Sequence, residues 1–166
     1  MIGDQGAPER PRVVLDTSAL FSQHRHWLWL LARLGYFDAV WSTFIVGELV
    51  RIRVEHSIQR GVSRSVYRQR INDLVHLLSD VLEVADYRRA EATGWLRDPD
   101  DEPILATAIA ASAGSVVSLN TRDFPVGAEA AGIRFVTPQA FLTELADLHP
   151  PGEVGERAHG SGRLLP

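Results

Sequence analysis

Short β-branched segments alternate along this chain with longer segments of helical character, and this alternation limits the possible folds more than any other feature. The strand-like segments are "RVVL", "FDAVWS", "VLEVAD", "SVVSL" and "IRFV", with amphipathic or alanine-rich stretches between them. Strands that are separated by helices pair in parallel, and the helices cover both faces of the sheet. We therefore predict a three-layer α/β/α domain with a central parallel sheet over residues 12–148, and flexible tails at 1–11 and 149–166.

Capping residues and glycines predict where several of the helices begin and end. Ser18 can cap a first helix that runs to Gly35, and Ser42 or Thr43 can cap the next one. Gly114 ends the alanine-rich segment "ILATAIAASAG" in the position of a left-handed C-terminal cap. We interpret the segment "YRRAEATGWLR" as a further short helix.

The composition excludes several classes of protein. The 166 residues include no cysteine, which excludes disulfides and thiolate metal sites. A net charge of −4 argues against a general coat protein for nucleic acids. The most apolar stretch, "WLWLLARLGYF", is short and interrupted by Arg33, so we predict no membrane span and expect a cytoplasmic location.

Arginine supplies all 17 basic residues, and six of them fall in one segment, "RIRVEHSIQRGVSRSVYRQR". These six are Arg51, Arg53, Arg60, Arg64, Arg68 and Arg70. One interpretation is a solvated helical surface. The other is a surface that binds RNA phosphates or an acidic partner, for which we name Arg51, Arg64 and Arg68 as candidates.

Four acids precede the alanine-rich helix in "RDPDDEPILATAIA", namely Asp98, Asp100, Asp101 and Glu102. Capping and the helix dipole account for about two of them. Asp101 is our candidate for the surplus. Two further acids, Asp16 and Asp123, each follow a predicted strand. Because ligands gather beyond the carboxyl ends of parallel strands, we expect these carboxylates to meet at one edge of the sheet.

Carboxylates that are brought together repel one another unless a cation lies among them. Oxygen ligands without cysteine or an HExxH pair favour Mg²⁺ or Mn²⁺. Such ions are typically used to activate water against a phosphate ester. A set of helix caps and loop acids that binds no metal is the competing interpretation.

Four fragments in this order, "VVLDTSAL", "VGELVRI", "DPDDEPILATAIA" and "VVSLNTRDF", resemble a PIN domain, especially the VapC-type toxin ribonucleases of bacteria. The resemblance extends over residues 12–137. It implies a metal-dependent endoribonuclease that hydrolyses RNA with Mg²⁺ or Mn²⁺. It also implies the toxin of a type II toxin–antitoxin pair, a homodimer whose active-site groove is blocked by its antitoxin.

The resemblance also implies roles for individual residues. The catalytic acids would be Asp16, Glu48, Asp101 and Asp123, with the metal on Asp16, Asp101 and Asp123. Ser118 matches a hydroxyl residue after the fourth strand, and Ser18 or Thr17 would orient Asp16. Asn120 stands where some relatives carry another aspartate, which leaves open whether Asn120 or Asp123 is the fourth ligand. Without the resemblance, an isolated helical glutamate such as Glu48 is more typical of an exposed surface.

Two other classes remain as alternatives. One is a non-catalytic binding module of the same fold, whose acids never hold a metal. The other is a Mg²⁺-dependent phosphatase-like α/β enzyme, although dehalogenase-like phosphatases need a second aspartate where this chain has Ser18. Receiver domains use a lysine, which this chain lacks.

Overall fold

The strands form one sheet whose five parallel members confirm the predicted three-layer α/β/α class. The computed structural model describes residues 10–79, 82–90, 94–124 and 129–149. The strands are β1 (Arg12–Leu15), β2 (Asp38–Trp41), β3 (Leu82–Val84), β4 (Ser115–Val117), β5 (Glu129–Ala130) and β6 (Ile133–Val136). Their order is β3-β2-β1-β4-β6-β5, and β5 is antiparallel to β6. Of the tails predicted at 1–11 and 149–166, residues 1–9 and 150–166 lie outside the described residues.

In the described part of the chain, six α-helices connect and cover the strands. They are α1 (Thr17–Phe21), α2 (Arg25–Arg33), α3 (Thr43–Gln59), α4 (Arg64–Ser79), α5 (Glu102–Ala110) and α6 (Pro138–Leu148). Single 3-10 turns occur at Tyr87–Arg89 and Pro99–Asp101. Among the described residues, no helix combines the length and apolar character that crossing a membrane requires.

The centre of the sheet is β1, which pairs in parallel with β2 on one side and β4 on the other. Val14 lies opposite Val40 and Val116, and all three side chains are fully buried. Residues at the carboxyl end of β1 therefore lie beside the carboxyl end of β4. The backbone N–H of Asp16 donates to the carbonyl of Val117 at 3.0 Å, which continues the pairing beyond the strand.

Helix α5 is the most deeply packed helix because its apolar residues surround the helix axis. Its five residues from Ile104 to Ala108 are all buried, and the helix contacts β1, β2, β4 and β6. A helix that is apolar on all sides needs a buried position. Its N-terminus, and the acids that precede it, are thereby fixed against the sheet.

The predicted first helix from Ser18 to Gly35 is wrong, because the structure divides it into α1 and α2. The break occurs at Ser22. Its hydroxyl donates to the Ala19 carbonyl at 2.6 Å and accepts from the His24 N–H at 3.1 Å. A side chain that bonds the local backbone in this way competes with the helical pattern. The hydroxyl of Ser18 does not cap α1 either.

Three further local predictions have different outcomes. Ser42, rather than Thr43, caps α3, because its hydroxyl accepts from the Ile45 N–H. The left-handed residue after α5 is Ser112, with φ 53°, so the cap predicted at Gly114 is wrong. Gly114 instead donates its N–H to the Arg12 carbonyl at the start of β1. The predicted helix in "YRRAEATGWLR" is a single 3-10 turn in its described part, and residues 91–93 lie outside that part.

Candidate metal centre

Asp16 is a buried carboxylate that two serine hydroxyls hold in place. Its side chain lies at the end of β1 and is 4% exposed. The hydroxyls of Ser18 and Ser118 both donate to its Oδ2 atom, at 2.6 and 2.7 Å. The same hydroxyls accept from the backbone N–H groups of Leu119 and Asn120, each at 2.9 Å. The carboxylate is therefore fixed to both β1 and the loop after β4.

Glu48 is the second acid that has a specific partner. The hydroxyl of Thr17, a buried side chain, donates to Glu48 Oε2 at 2.8 Å. Arg51 Nη2 lies 3.9 Å from Glu48 Oε1. Of the two hydroxyls that we considered for Asp16, Ser18 donates to Asp16, whereas Thr17 donates to Glu48. Glu48 is partly buried rather than fully exposed.

The four acids before α5 have different partners. Asp98 caps the 3-10 turn, with its Oδ1 accepting from the Asp100 N–H at 3.0 Å. Asp100 itself is exposed, and Glu102 accepts a hydrogen bond from the Gly94 N–H. Asp101 provides no capping hydrogen bond to α5 and is partly buried. Capping thus accounts for Asp98 but leaves the Asp101 carboxylate unexplained.

The carboxylates of Asp98, Asp101 and Asp123 form a group whose oxygen atoms lie within 4.8 Å of one another. Asn120 lies beside this group, since its Nδ2 donates to Asp101 Oδ2 at 3.1 Å. Asn120 Oδ1 also accepts from the Asp123 N–H at 3.3 Å, which fixes the loop that carries Asp123. Asp16 and Glu48 lie outside this group of three in the part of the chain that the structure describes.

Burial and the neighbouring acids raise the pKa of Asp101 to about 7. After burial, the causes in decreasing order are the charges of Asp16, Asp98, Asp123 and Glu48. Acids from four segments of the chain therefore act on one carboxyl group. We call these five residues the acidic edge.

The donor atoms of the acidic edge fit a hard divalent cation. Carboxylate oxygens are the ligands that Mg²⁺ and Mn²⁺ prefer, and an added positive charge would relieve the repulsion that raises the Asp101 pKa. Asp98, Asp101 and Asp123 have the spacing to share one ion. The sequence interpretation does not include Asp98 in the metal site, because capping and the helix dipole can account for about two of the four acids, and either Asp98 or Asp100 can be the cap. The signal that could have identified Asp98 is its place in the same run of acids as Asp101.

The arginines that we named for RNA or partner binding lie on exposed helical surface. Arg51 pairs with Glu55 at 2.9 Å in addition to its contact with Glu48. Arg64 and Arg68 are exposed residues of α4.

The comparison with protein families agrees with this arrangement. Residues 12–122, more than half of the 166 residues, match the family model of the PIN domain. The matched range extends from β1 through α5 to the loop after β4, and it includes every member of the acidic edge except Asp123. PIN domains are generally metal-dependent nucleases. No curated protein matches the chain. With the match, the parallel sheet and the acids at its carboxyl edge taken together, the chain belongs to the PIN-domain family.

Proposed function

We propose that this protein is a metal-dependent endoribonuclease that hydrolyses RNA phosphodiester bonds. The observation that carries the proposal is the convergence of Asp98, Asp101 and Asp123, whose oxygen atoms lie within 4.8 Å of one another. Membership of a family of nucleases supports the same conclusion. A fold by itself does not establish an activity, so the proposal rests on the site.

The proposed catalytic acids are Asp16, Glu48, Asp101 and Asp123. Asp16, Asp101 and Asp123 would hold Mg²⁺ or Mn²⁺, and the spacing of the carboxylates supports adding Asp98 as a further ligand. Ser18 and Ser118 would keep Asp16 in one orientation, because both donate to the same carboxylate oxygen. Asn120 would position Asp101 through its amide N–H. Ligands that are held by such neighbours bind metals more tightly and in a defined geometry.

The metal, when bound, would activate a water molecule for attack on phosphorus. The protein's own side chains would bind the RNA and hold it in a single geometry for the attack. When water attacks phosphorus and the P–O3′ bond breaks, the 3′ oxygen leaves and takes up a proton, so the products are a 5′-phosphate and a 3′-hydroxyl and the 2′-hydroxyl takes no part. The competing route uses a histidine base on the 2′-hydroxyl and leaves a cyclic phosphate. In the described part of the chain, no histidine belongs to the acidic group, which favours the first route.

The biological role that we propose is that of the toxin in a type II toxin–antitoxin pair. The similarity of the four fragments to VapC-type ribonucleases supports this role. The protein would act in the cytoplasm as a homodimer, and a cognate antitoxin would block its active-site groove. Expression of the chain in a bacterial host should arrest growth, and co-expression of a small DNA-binding protein from the adjacent reading frame should restore it. Growth arrest that persists with that neighbour would contradict the pairing.

We also propose that Arg51, Arg64 and Arg68 contribute to binding RNA or the partner. Their exposure supports a role in binding, since exposed guanidinium groups can reach phosphates or carboxylates. For Arg51 the existing ion pairs with Glu48 and Glu55 compete with any such contact.

The test of the nuclease proposal is cleavage of an unstructured RNA by the purified full chain. We expect cleavage with Mg²⁺ or Mn²⁺, none in EDTA, and fragments that a 5′-phosphate-dependent exonuclease degrades. Cyclic-phosphate ends formed in EDTA would overturn the mechanism. RNA binding without cleavage would favour a non-catalytic binding module. Hydrolysis of a small phosphate ester but not of RNA would favour a phosphatase-like enzyme.

A further inference from the structure

A second charged site lies between α3 and α4, on helical surface whose residues have no part in the acidic edge. Arg53 and His56 line it from α3, Arg60 from the C-terminal cap of that helix, and Tyr67 and Arg70 from α4. The first three residues are spaced by three and then four positions, which places them on one side of the helix. We call this site the arginine cleft. Its residues come from the arginine-rich segment, but they differ from the arginines that sequence analysis favoured.

The guanidinium group of Arg53 is held in position by aromatic contacts. It lies 5.0 Å from the centre of the Phe21 ring, and Phe21 in turn contacts the His56 ring edge-on at 6.3 Å between centroids. A cation over an aromatic face is attracted by the electrons of the ring. Arg53 is therefore oriented before any ligand arrives, which lowers the entropy lost on binding.

The positive charge in the arginine cleft is not neutralised within the described part of the chain. There, no carboxylate lies within ion-pair distance of Arg53, Arg60 or Arg70, and the nearby Glu48 and Glu55 both pair with Arg51. Burial, followed by the charges of Arg25 and Arg70, lowers the pKa of Arg53. Positive charges are therefore clustered in the cleft, as negative charges are clustered at the acidic edge.

We propose that the arginine cleft binds backbone phosphates of the RNA strand, a few nucleotides away from the bond that is cut. This inference rests on the proposed ribonuclease function and adds a second point of contact with the substrate. Glu48 and Arg53 belong to the same helix, so the cleft begins about 8 Å from Glu48 along the helix axis and extends to about 18 Å at Arg60. A single strand that enters the active site can span such a distance.

The chemistry of the cleft favours RNA over an acidic protein segment. The planar guanidinium group donates two parallel hydrogen bonds to a phosphate, and three such groups can contact successive phosphates of one strand. RNA repeats its phosphates at every nucleotide. Tyr67 adds an aromatic ring to the cleft, and aromatic rings are common platforms for unpaired bases.

The test measures RNA binding without cleavage. A fluorescein-labelled unstructured RNA of about 12 nucleotides is titrated with the full chain in EDTA at several NaCl concentrations. The variant combines Arg53→Gln with Arg70→Gln. The matched control combines Arg33→Gln with Arg88→Gln, which removes the same charge from exposed positions elsewhere. A third protein combines Arg64→Gln with Arg68→Gln.

We expect the cleft variant to bind RNA at least about 10-fold more weakly than wild type, and its slope of log Kd against log salt to fall by about 1.4, as two lost phosphate contacts require. The control should change affinity less than about 2-fold, and the α4 pair should fall between the two. Because substitution by glutamine can alter packing as well as remove the charge, Arg53→Lys together with Arg70→Lys provides a second test that keeps the charge. It should keep most of the salt slope but lose affinity, since lysine lacks the planar fork.

Equal weakening in the cleft variant and the control would overturn the proposal, because the effect would then depend on total charge alone. Unchanged RNA binding together with lost binding of poly-glutamate would also overturn it and would assign the cleft to an acidic protein. Failure of the nuclease proposal is distinguishable, since it appears as absence of cleavage with Mg²⁺ or Mn²⁺ while the RNA affinities measured in EDTA still depend on the cleft.

Discussion

The acidic edge and the arginine cleft both gather like charges, but the chain constructs them in opposite ways. The acids come from β1, α3, the turn before α5 and the loop after β4, which are separated by up to 107 positions between Asp16 and Asp123. The cleft comes from α3 and α4, within the 18 positions from Arg53 to Arg70. The acidic edge thus depends on the sheet topology, whereas the cleft depends on one helical hairpin.

The two regions also differ in how their side chains are held. At the acidic edge, hydroxyl and amide groups donate to Asp16, Glu48 and Asp101. In the cleft, the fixed contact of Arg53 is with an aromatic ring. Hydrogen-bonded carboxylates are preorganised for a small cation of strict geometry, and guanidinium groups on longer side chains can adjust to a flexible strand. We therefore expect substitutions at the acidic edge to affect catalysis and those in the cleft to affect binding.

The largest expected effect is that of Asp101→Asn on RNA cleavage. The substitution removes the carboxylate on which the other four acids of the edge act, while the amide keeps its size. We expect the cleavage rate to fall at least about 100-fold, as the loss of a metal ligand or catalytic group requires. Asp100→Asn is the matched control, because Asp100 is the exposed neighbour. Wild-type activity in Asp101→Asn would remove this residue from the site. An equal loss of activity in Asp100→Asn would mean that Asp101 was the wrong choice between the two neighbours.

A smaller effect separates the two roles of Asp98. Asp98→Ser keeps a capping oxygen for the Asp100 N–H but removes the carboxylate from the group of three. We expect the half-saturating Mn²⁺ concentration for cleavage to rise about 10-fold, with a change in unfolding free energy below about 0.5 kcal/mol. Unchanged metal dependence would show that Asp98 is a cap alone. Asp98→Ala should additionally destabilise the protein by about 1 kcal/mol.

The smallest expected effect is on stability without metal. The pKa of Asp101 is about 7 in the folded protein against 3.8 for an unperturbed aspartate, so from about pH 4 to pH 7 the folded state binds a proton that the unfolded chain has released. The stability that this proton provides is complete below pH 4 and is lost as the pH rises through 7. Relative to Asp101→Asn, the unfolding free energy of wild type in EDTA should therefore fall between pH 5 and pH 8, by about 1 kcal/mol after allowance for solvent screening.

Urea unfolding at both pH values measures this difference. Asp100→Asn should follow wild type. Added Mg²⁺ should raise the unfolding free energy of wild type at pH 8 but should not raise that of Asp101→Asn. If the unfolding free energies of wild type and Asp101→Asn differ by the same amount at all pH values, the acids do not repel one another as described.

The sequence was sufficient to predict the sheet, because five β-branched segments separated by helices permit few arrangements. It was insufficient where one side chain decides the backbone path. Ser22 interrupts the first helix through two hydrogen bonds to the local backbone, and an isolated serine carries no such signal. Ser112 adopts the left-handed conformation that glycine favours, so Gly114 was the wrong choice of cap. The antiparallel β5 has two residues, too few for a period to be recognised.

Which acids meet at the acidic edge was predictable to a similar degree. Position after a strand indicated Asp16 and Asp123, and the excess of acids indicated Asp101. Assigning hydroxyls to carboxylates required the structure, because Thr17 and Ser18 are adjacent in sequence yet donate to different acids. In the same way, six arginines could be counted in one segment, but which of them line the cleft depends on the turn between α3 and α4.

Mn²⁺ binding measured by titration calorimetry tests the claim that the acidic edge is a divalent metal site. The titration uses wild type, Asp101→Asn and Asp100→Asn near neutral pH, in buffers of different ionisation enthalpy. We predict that wild type and Asp100→Asn bind Mn²⁺ and release a fraction of a proton, because the Asp101 carboxyl has a pKa of about 7 and must ionise. Asp101→Asn should lose at least about 10-fold in affinity and release no proton. Equal Mn²⁺ binding by all three proteins, or no binding by wild type, would contradict the claim.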